Sequence, residues 1–278
     1  MSLLTTAPVL ADHAPARAVK TFAPVSARPA GGLSLTYLGH ELKRPFNRQA
    51  LLINVALPAV LYLALHRTGS SHTAPPHGNF AMWMMIGIAV YGSATASTST
   101  AVGIAVEKSS GWMRTMRLMP ISSVGYVLSK VASAMLSAVL PVVVVGLLGW
   151  GTGAEGNLRV WILGLLTAWG GSAVFAAFGL GIGLTLRAEI VTSIPGLTTT
   201  ALAFIGNLFL PLSGRVLQVG RWTPMFGVSD IARRALTDGC SLSGVHSSLT
   251  FVLLDVGGWF VLFVLLAARA YTKSSGRA

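Results

Sequence analysis

Long stretches without a charged residue dominate this chain and restrict what it can fold into. Five are long enough, or nearly so, to cross a bilayer as a helix, which takes about 20 mostly apolar residues, and a sixth forms if Asp255 is tolerated between two shorter runs. Only 10% of the 278 residues are charged, against about 25% in soluble domains, which excludes an ordinary soluble enzyme. We therefore predict an all-α integral membrane protein with six transmembrane helices. The predicted spans are 49–66, 80–106, 126–149, 158–186, 191–213 and 249–268.

The charge distribution predicts how such a chain is oriented. The apolar runs are continuous, which favours helices over a barrel, because barrel strands alternate in hydrophobicity. With both termini in the cytoplasm, fourteen of the 20 Lys and Arg residues lie inside and six outside, as the positive-inside rule favours. We predict a multi-pass protein of the cell (plasma) membrane. The basic residues behind the net charge of +12 lie mainly beside the cytoplasmic span ends, where anionic lipids attract them. We therefore expect the lipid bilayer as a partner and expect no binding of nucleic acid.

The remaining segments divide the chain around this membrane domain. Residues 1–32 are rich in Ala, Pro and Thr and are predicted to be a disordered cytoplasmic tail. Residues 33–48 carry a leucine every three or four positions beside basic residues, which favours an N-terminal amphipathic interfacial helix; a plain juxtamembrane linker is the alternative. Residues 49–270 form the six-helix transmembrane domain, and residues 271–278 are predicted to be a short cytoplasmic C-terminal tail.

Small polar residues inside the spans admit two interpretations. Span two contains the run SATASTSTA, which includes Ser93, Thr95 and Ser97. Such residues let membrane helices approach closely and hydrogen-bond to each other, or they line a substrate path. Asn207 and Asp255 are further candidates for that path, since an ionisable residue inside the membrane suggests a functional site.

The segment between spans two and three, EKSSGWMRTMRLMP at residues 107–120, predicts a short amphipathic helix on the cytoplasmic side. Trp112 and three methionines form an apolar face, while Arg114 and Arg117 share the opposite side. Gly111 loosens the start of this element and Pro120 ends it. Such a helix either lies on lipid or docks into a groove of a soluble partner, with methionines as an adaptable contact.

Two motifs resemble those of the type 2 ABC transporter permease family. In that family an acidic-basic pair, a glycine and a later proline-hydrophobic-serine triplet precede the third span. This chain has Glu107, Lys108 and Gly111, and then the triplet Pro120, Ile121 and Ser122. The second motif lies between spans five and six, where the chain has Pro224, Val228, Asp230, Arg233 and Arg234 in comparable order.

The resemblance implies a permease subunit that works with separate ABC ATPase subunits and with a second permease copy or a paralogous permease. It implies that this chain binds no cofactor itself and that ATP and Mg act through the ATPase partner. It also implies a coupling helix that receives the ATPase motion and an outer re-entrant segment after span five. The coupling residues are Glu107, Lys108, Gly111, Trp112, Arg114, Arg117 and Pro120, and the outer re-entrant residues are Pro224, Asp230, Arg233 and Arg234.

Absent motifs agree with a transport subunit. The chain has no GxxxxGK[ST] phosphate loop, so ATP hydrolysis must belong to another chain. It has no HExxH or GxSxG motif either, and its loop histidines lack regular ligand spacing. We therefore expect no catalytic residue and no metal site.

The predicted function is export of a hydrophobic or amphiphilic substrate such as a drug, lipid or natural product. One alternative is a secondary transporter or channel driven by an ion gradient, although proton coupling ordinarily needs intramembrane carboxylates and these are nearly missing. Another alternative is a membrane assembly factor that transports nothing.

Overall fold

The computed structural model of the protein describes residues 48–67, 74–110, 123–191 and 193–275. Within these ranges the chain forms eleven helices, and its only β-type pairings are two isolated bridges. The helices are α1 (Arg48–Leu65), α2 (Phe80–Val102), α3 (Ile104–Ser109), α4 (Ser123–Gly151), α5 (Leu158–Gly170), α6 (Ser172–Thr185), α7 (Ala188–Val191), α8 (Ile194–Ile205), α9 (Gly214–Gly220), α10 (Pro224–Thr237) and α11 (Leu249–Ser275).

The helices confirm the integral membrane class but not six complete spans. Four segments are long and apolar enough to cross a bilayer, and two shorter apolar helices, Asn54–Leu65 and Ile194–Ile205, accompany them. The predicted fifth span, 191–213, is not one continuous helix. Its helix α8 ends at Ile205, and Asn207 then adopts a left-handed φ of 63°. The four long segments are Phe80–Glu107, Val127–Gly151, Leu158–Thr185 and Leu249–Ala270.

The predictions for the two termini meet the structure only in part. Residues 1–32 and nearly all of the interfacial helix predicted at 33–48 lie outside the described residues, and Arg48 already belongs to α1. At the other end, α11 continues to Ser275 and so includes residues 271–275 of the predicted C-terminal tail.

The fourth span, predicted at 158–186, is divided at Gly171 into α5 and α6.

Side-chain caps explain where three of the helices begin. A helix start leaves backbone N–H groups without intrahelical partners, and a short polar side chain before it satisfies one of them. Asn79 accepts a hydrogen bond from the Met82 amide at the start of α2, at 2.9 Å. Asn157 and Thr223 do the same for α5 and α10, and Pro224 sits in the first turn of α10, where a missing N–H does no harm.

Helix α2 forms the centre of the bundle. It is buried from Met82 to Thr98 and contacts α1, α4, α5, α6, α8 and α10. The prolines inside α1 and α4, Pro58 and Pro141, both pack against Gly92 of α2, where a Cβ atom would lie about 3 Å from each ring. Small residues therefore bring three helices together at this level, as expected where packing rather than hydrophobicity drives association.

The helices define two ends of the bundle. Glu107, Lys130 and Arg187 mark one end, which we call the Glu107 end. The other, the Arg159 end, is held together by a bridge between Gly78, before α2, and Gly156, before α5. Helix α11 starts beside the Arg159 end and reaches the Glu107 end, where Ala267 joins a cluster of buried apolar residues from α2, α3, α4 and α6.

Candidate functional site

Helix α3 places Glu107 at a fixed position at one end of the bundle. Gly103 separates α3 from α2, and its carbonyl accepts hydrogen bonds from the amides of Val106 and Glu107 at 3.1 and 3.3 Å. Ile104 is buried among residues of α4 and α6, while Ala105 packs with Val191 of α7. The short helix is therefore anchored on three neighbours before the chain continues into residues 111–122.

Glu107 and Lys130 of α4 form a buried ion pair. The Lys130 Nζ lies 2.5 Å from the Glu107 Oε1, and each side chain is only 4% exposed. Taking two charges out of water is expensive, and removing one partner of such a pair typically costs about 3–5 kcal/mol. The pair therefore ties the end of α3 to α4, at the point where the predicted coupling segment begins.

Of the other predicted coupling residues, the structure describes only Lys108, which belongs to α3. Gly111, Trp112, Arg114, Arg117 and Pro120 lie outside the described residues. Their role in coupling stays a prediction. The structure shows only that the helix before their segment, α3, is fixed to its neighbours. The sequence reasoning missed Lys130, because a lysine ahead of an apolar run was counted only as a positive-inside charge.

After α8 the chain turns back on itself instead of continuing as a span. Asn207 makes this turn with a left-handed backbone, and its side-chain Oδ1 accepts a hydrogen bond from the Leu212 amide at 2.7 Å. Asparagine is among the few residues that tolerate this conformation. Helices α9 and α10 follow, and α10 ends at Asp238, whose φ of 51° is also left-handed.

Arg233 holds this turn against the central helix. Its guanidinium donates hydrogen bonds to the carbonyls of Asn207 at 2.7 Å, Leu208 at 2.9 Å and Trp83 at 3.1 Å. It also lies 3.6 Å from the centroid of the Trp83 ring, a cation–π geometry. The side chain is 4% exposed. The planar fork of arginine suits this task, since it offers five N–H donors in fixed directions.

The remaining charges of the segment pair only partly as the sequence suggests. From the sequence, we expect Arg215, Arg221, Arg233 and Arg234 to reach lipid headgroups or to pair with Asp230 and Asp238. Arg234 does pair with Asp230, at 3.3 Å, whereas Arg233 is buried against carbonyls. Asp238 lies 2.7 Å from the Nε2 of His77. Burial raises the pKa of Asp230, which lies outside the candidate spans, to about 6, while Arg234 opposes that shift.

The candidate path residues of α2 lie in helix–helix contacts. The Ser93 hydroxyl donates to the Ala168 carbonyl of α5 at 2.7 Å, and that of Thr95 donates to Thr199 of α8 at 3.3 Å. The Ser97 hydroxyl donates to the Ala94 carbonyl within α2 at 3.1 Å. All three side chains are buried. This placement favours the packing interpretation, and a role in a substrate path stays a prediction.

The other two path candidates lie close to α10. Asn207 forms the turn held by Arg233. A Cβ atom on Gly227 of α10 would lie 2.6 Å from the Asp255 Oδ2. This oxygen is buried and has no hydrogen-bond partner among the described residues. Asp255 therefore faces α10, and its role in a substrate path stays a prediction.

These features define a class of protein: a multi-pass, all-helical membrane protein whose second span ends in an anchored short helix and whose fifth apolar segment turns back. A comparison with protein-family models matches residues 61–265 to the family described as "ABC-2 family transporter protein". The chain belongs to this family, which confirms the resemblance to type 2 ABC transporter permeases. Family members are membrane transport components rather than enzymes, and they work in general with ABC ATPase subunits. No curated protein matches the chain.

Proposed function

We propose that this protein is the permease subunit of an ATP-driven exporter of a hydrophobic or amphiphilic substrate. ATP and Mg bind to separate ATPase subunits, two permeases work as a pair, and the Glu107 end faces the cytoplasm. The observation that carries the proposal is the buried Glu107–Lys130 pair just before residues 111–122, in a chain of the ABC-2 family.

The contacts of α3 supply a route for mechanical work. A push on residues 111–122 reaches α3 directly along the chain. From there it passes to α4 through the ion pair, and to α6 and α7 through the buried contacts of Ile104 and Ala105. Packed interiors shift between discrete arrangements rather than deforming continuously, so a displacement of α3 moves whole helices.

A charge-reversal cycle tests this route. The chain is reconstituted in liposomes with its ATPase partner, and ATP hydrolysis and ATP-dependent movement of a fluorescent amphiphile are both measured. Glu107→Lys and Lys130→Glu each bury two like charges, and we expect each to lower transport per ATP at least about tenfold. The double variant restores an opposite pair and is expected to recover most of the coupling.

The control is Glu155→Lys, which reverses an exposed carboxylate at the opposite end of the bundle and should leave coupling unchanged. Full transport by both single variants would contradict the proposed route. Movement of the amphiphile without ATP would instead favour a secondary transporter or channel, and an ATPase that never associates with the chain would favour an assembly factor.

A further inference from the structure

A groove between α5 and α10 opens at the Arg159 end of the bundle. Its volume is about 510 Å³, within the range of about 300–1,000 Å³ that is usual for sites of small ligands. Among the described residues, its lining includes neither α3 nor the turn at Asn207. Its walls include Arg159, Leu163, Thr167, Ile231, Arg234 and Leu249.

The polar residues of the groove leave one positive charge without a partner. Arg234 is paired with Asp230 and also donates a hydrogen bond to the Ser247 carbonyl at 2.9 Å. Asp238 is occupied by His77 at 2.7 Å. Arg159, an exposed residue in the first turn of α5, makes no hydrogen bond or ion pair with any residue that the structure describes. Among the described residues that line the mouth, the guanidinium of Arg159 is therefore the one that an anion can reach without displacing a partner.

The wall below this mouth combines apolar side chains with the hydroxyl of Thr167. On α5, Leu163 and Thr167 follow Arg159 at intervals of four residues, so all three share one helix face. At 1.5 Å per residue this face extends about 12 Å from Arg159 to Thr167. On α10, Ile231 and Ala235 line the opposite wall at the same interval. The groove thus joins a charged mouth, which holds Arg159, Arg234 and Asp238, to a trough that contains the apolar side chains of Leu163, Ile231 and Ala235.

We propose that this groove binds an amphiphile with an anionic, phosphate-type headgroup. The headgroup lies at Arg159, whose guanidinium matches phosphate oxygens in geometry, and the hydrocarbon part lies along Leu163 and Ile231. A free phosphate would leave the trough unused, and a neutral amphiphile would leave Arg159 unpaired. The inference rests on the proposed membrane function and gives the amphiphile a headgroup charge.

Binding to the full chain, purified in an uncharged detergent, tests the site. Native mass spectrometry compares lysophosphatidylglycerol, lysophosphatidylcholine of the same chain length, and inorganic phosphate. We expect the anionic lipid to bind at least about tenfold more tightly than the other two. Arg159→Gln should abolish that preference, because a charge-assisted hydrogen bond is lost. Ala235→Phe should weaken both lipids by filling the trough.

The matched control is Arg187→Gln, which removes an exposed arginine at the Glu107 end and should leave the preference intact. Equal binding of the two lipids, or an equal loss in Arg187→Gln and Arg159→Gln, would overturn the proposal. This measurement needs no ATPase, so its failure is distinct from a failure of ATP coupling.

A second arm identifies the source of the amphiphile. In the reconstituted complex with the ATPase, a transported amphiphile stimulates ATP hydrolysis in the wild type but not in Arg159→Gln. A resident membrane lipid instead co-purifies with the wild type, is lost from Arg159→Gln and leaves the hydrolysis rate unchanged when added. Either result supports the site, and absence of both in the wild type would refute it.

Discussion

Arg233 shows how much of this architecture rests on a single side chain. The turn at Asn207 directs the carbonyls of Asn207 and Leu208 away from helical partners, and a buried carbonyl without a hydrogen bond is costly. Arg233 satisfies both and adds the carbonyl of Trp83 from the central helix. One residue of α10 thereby fixes the end of α8 relative to α2.

We expect Arg233→Leu to destabilise the protein by about 3 kcal/mol or more, because several buried carbonyls lose their donor at once. Arg233→Lys should recover only part of this loss, since an ammonium group lacks the planar fork. Thermal inactivation in detergent measures the difference. Arg215→Leu, at an exposed position of α9, is the control, and equal effects of the two leucine variants would contradict the role.

The task of Arg233 was not predictable from the pattern of residues. Its three acceptors lie 25, 26 and 150 positions away in sequence and are backbone atoms, which leave no trace in residue type. Of the Glu107–Lys130 pair, only Glu107 was predictable, because it belongs to a recognisable motif. Lys130 joins it only through the antiparallel packing of α2 and α4.

At the level of helices, α6 approaches α2 through two glycines. A Cβ atom on Gly179 would lie 2.7 Å from the Thr98 carbonyl oxygen and 2.9 Å from the Ala101 Cβ. One on Gly183 would lie 3.1 Å from the Val102 carbonyl oxygen at the end of α2 and 2.6 Å from the Ile104 Cγ2 of α3. These atoms belong to the facing backbone or to buried side chains, so they have little freedom to move. The GxxxG spacing therefore serves contact within one chain here.

Gly179→Ala should destabilise the protein by about 1–3 kcal/mol, the usual cost of overpacking a tight contact. Gly181→Ala is the matched control on the same helix, because its new Cβ would find its nearest atoms at 3.9 Å. That change should be neutral or stabilise by up to about 1 kcal/mol, since alanine is the better helix former. Unfolding in denaturant measures both, and the reverse order would contradict the packing.

Sequence patterns predicted elements well where one physical cause dominates. Continuous apolar runs indicate helices because a bilayer leaves no other partner for the backbone, and α2, α4 and α11 occur where these runs predicted them. The prediction that the fifth apolar run, 191–213, forms one long helix is wrong. Hydropathy counts side chains, whereas this run ends at a backbone turn that Asn207 permits and a distant arginine stabilises.

At the scale of the whole molecule, the two ends of the bundle carry different chemistry. The Glu107 end has a buried ion pair beside the predicted coupling segment, and the Arg159 end has the groove between α5 and α10. The proposed function requires that the first end faces the ATPase in the cytoplasm and that the second faces outward. The orientation of the chain thus connects both proposals.

Labelling of introduced thiols checks that orientation. In a Cys240→Ser background, Ser109→Cys is placed at the Glu107 end and Glu155→Cys at the Arg159 end, both at exposed positions. In intact cells we expect a membrane-impermeant maleimide to modify only the cysteine at position 155. Permeabilised cells, in which both sites should react, are the control. Modification of position 109 in intact cells would end the proposed coupling role.

The burial of α2 has a consequence for evolution as well as for transport. Because α2 is buried from Met82 to Thr98 among other helices, the proposed function places the cargo path at the periphery of the subunit or between two subunits. Selection for a new cargo can then act on the periphery, including the α5–α10 groove, while α2 and its glycine contacts keep the scaffold intact. We therefore expect changes in cargo chemistry to arise from substitutions on peripheral helices, and substitutions in α2 to alter the stability of the scaffold.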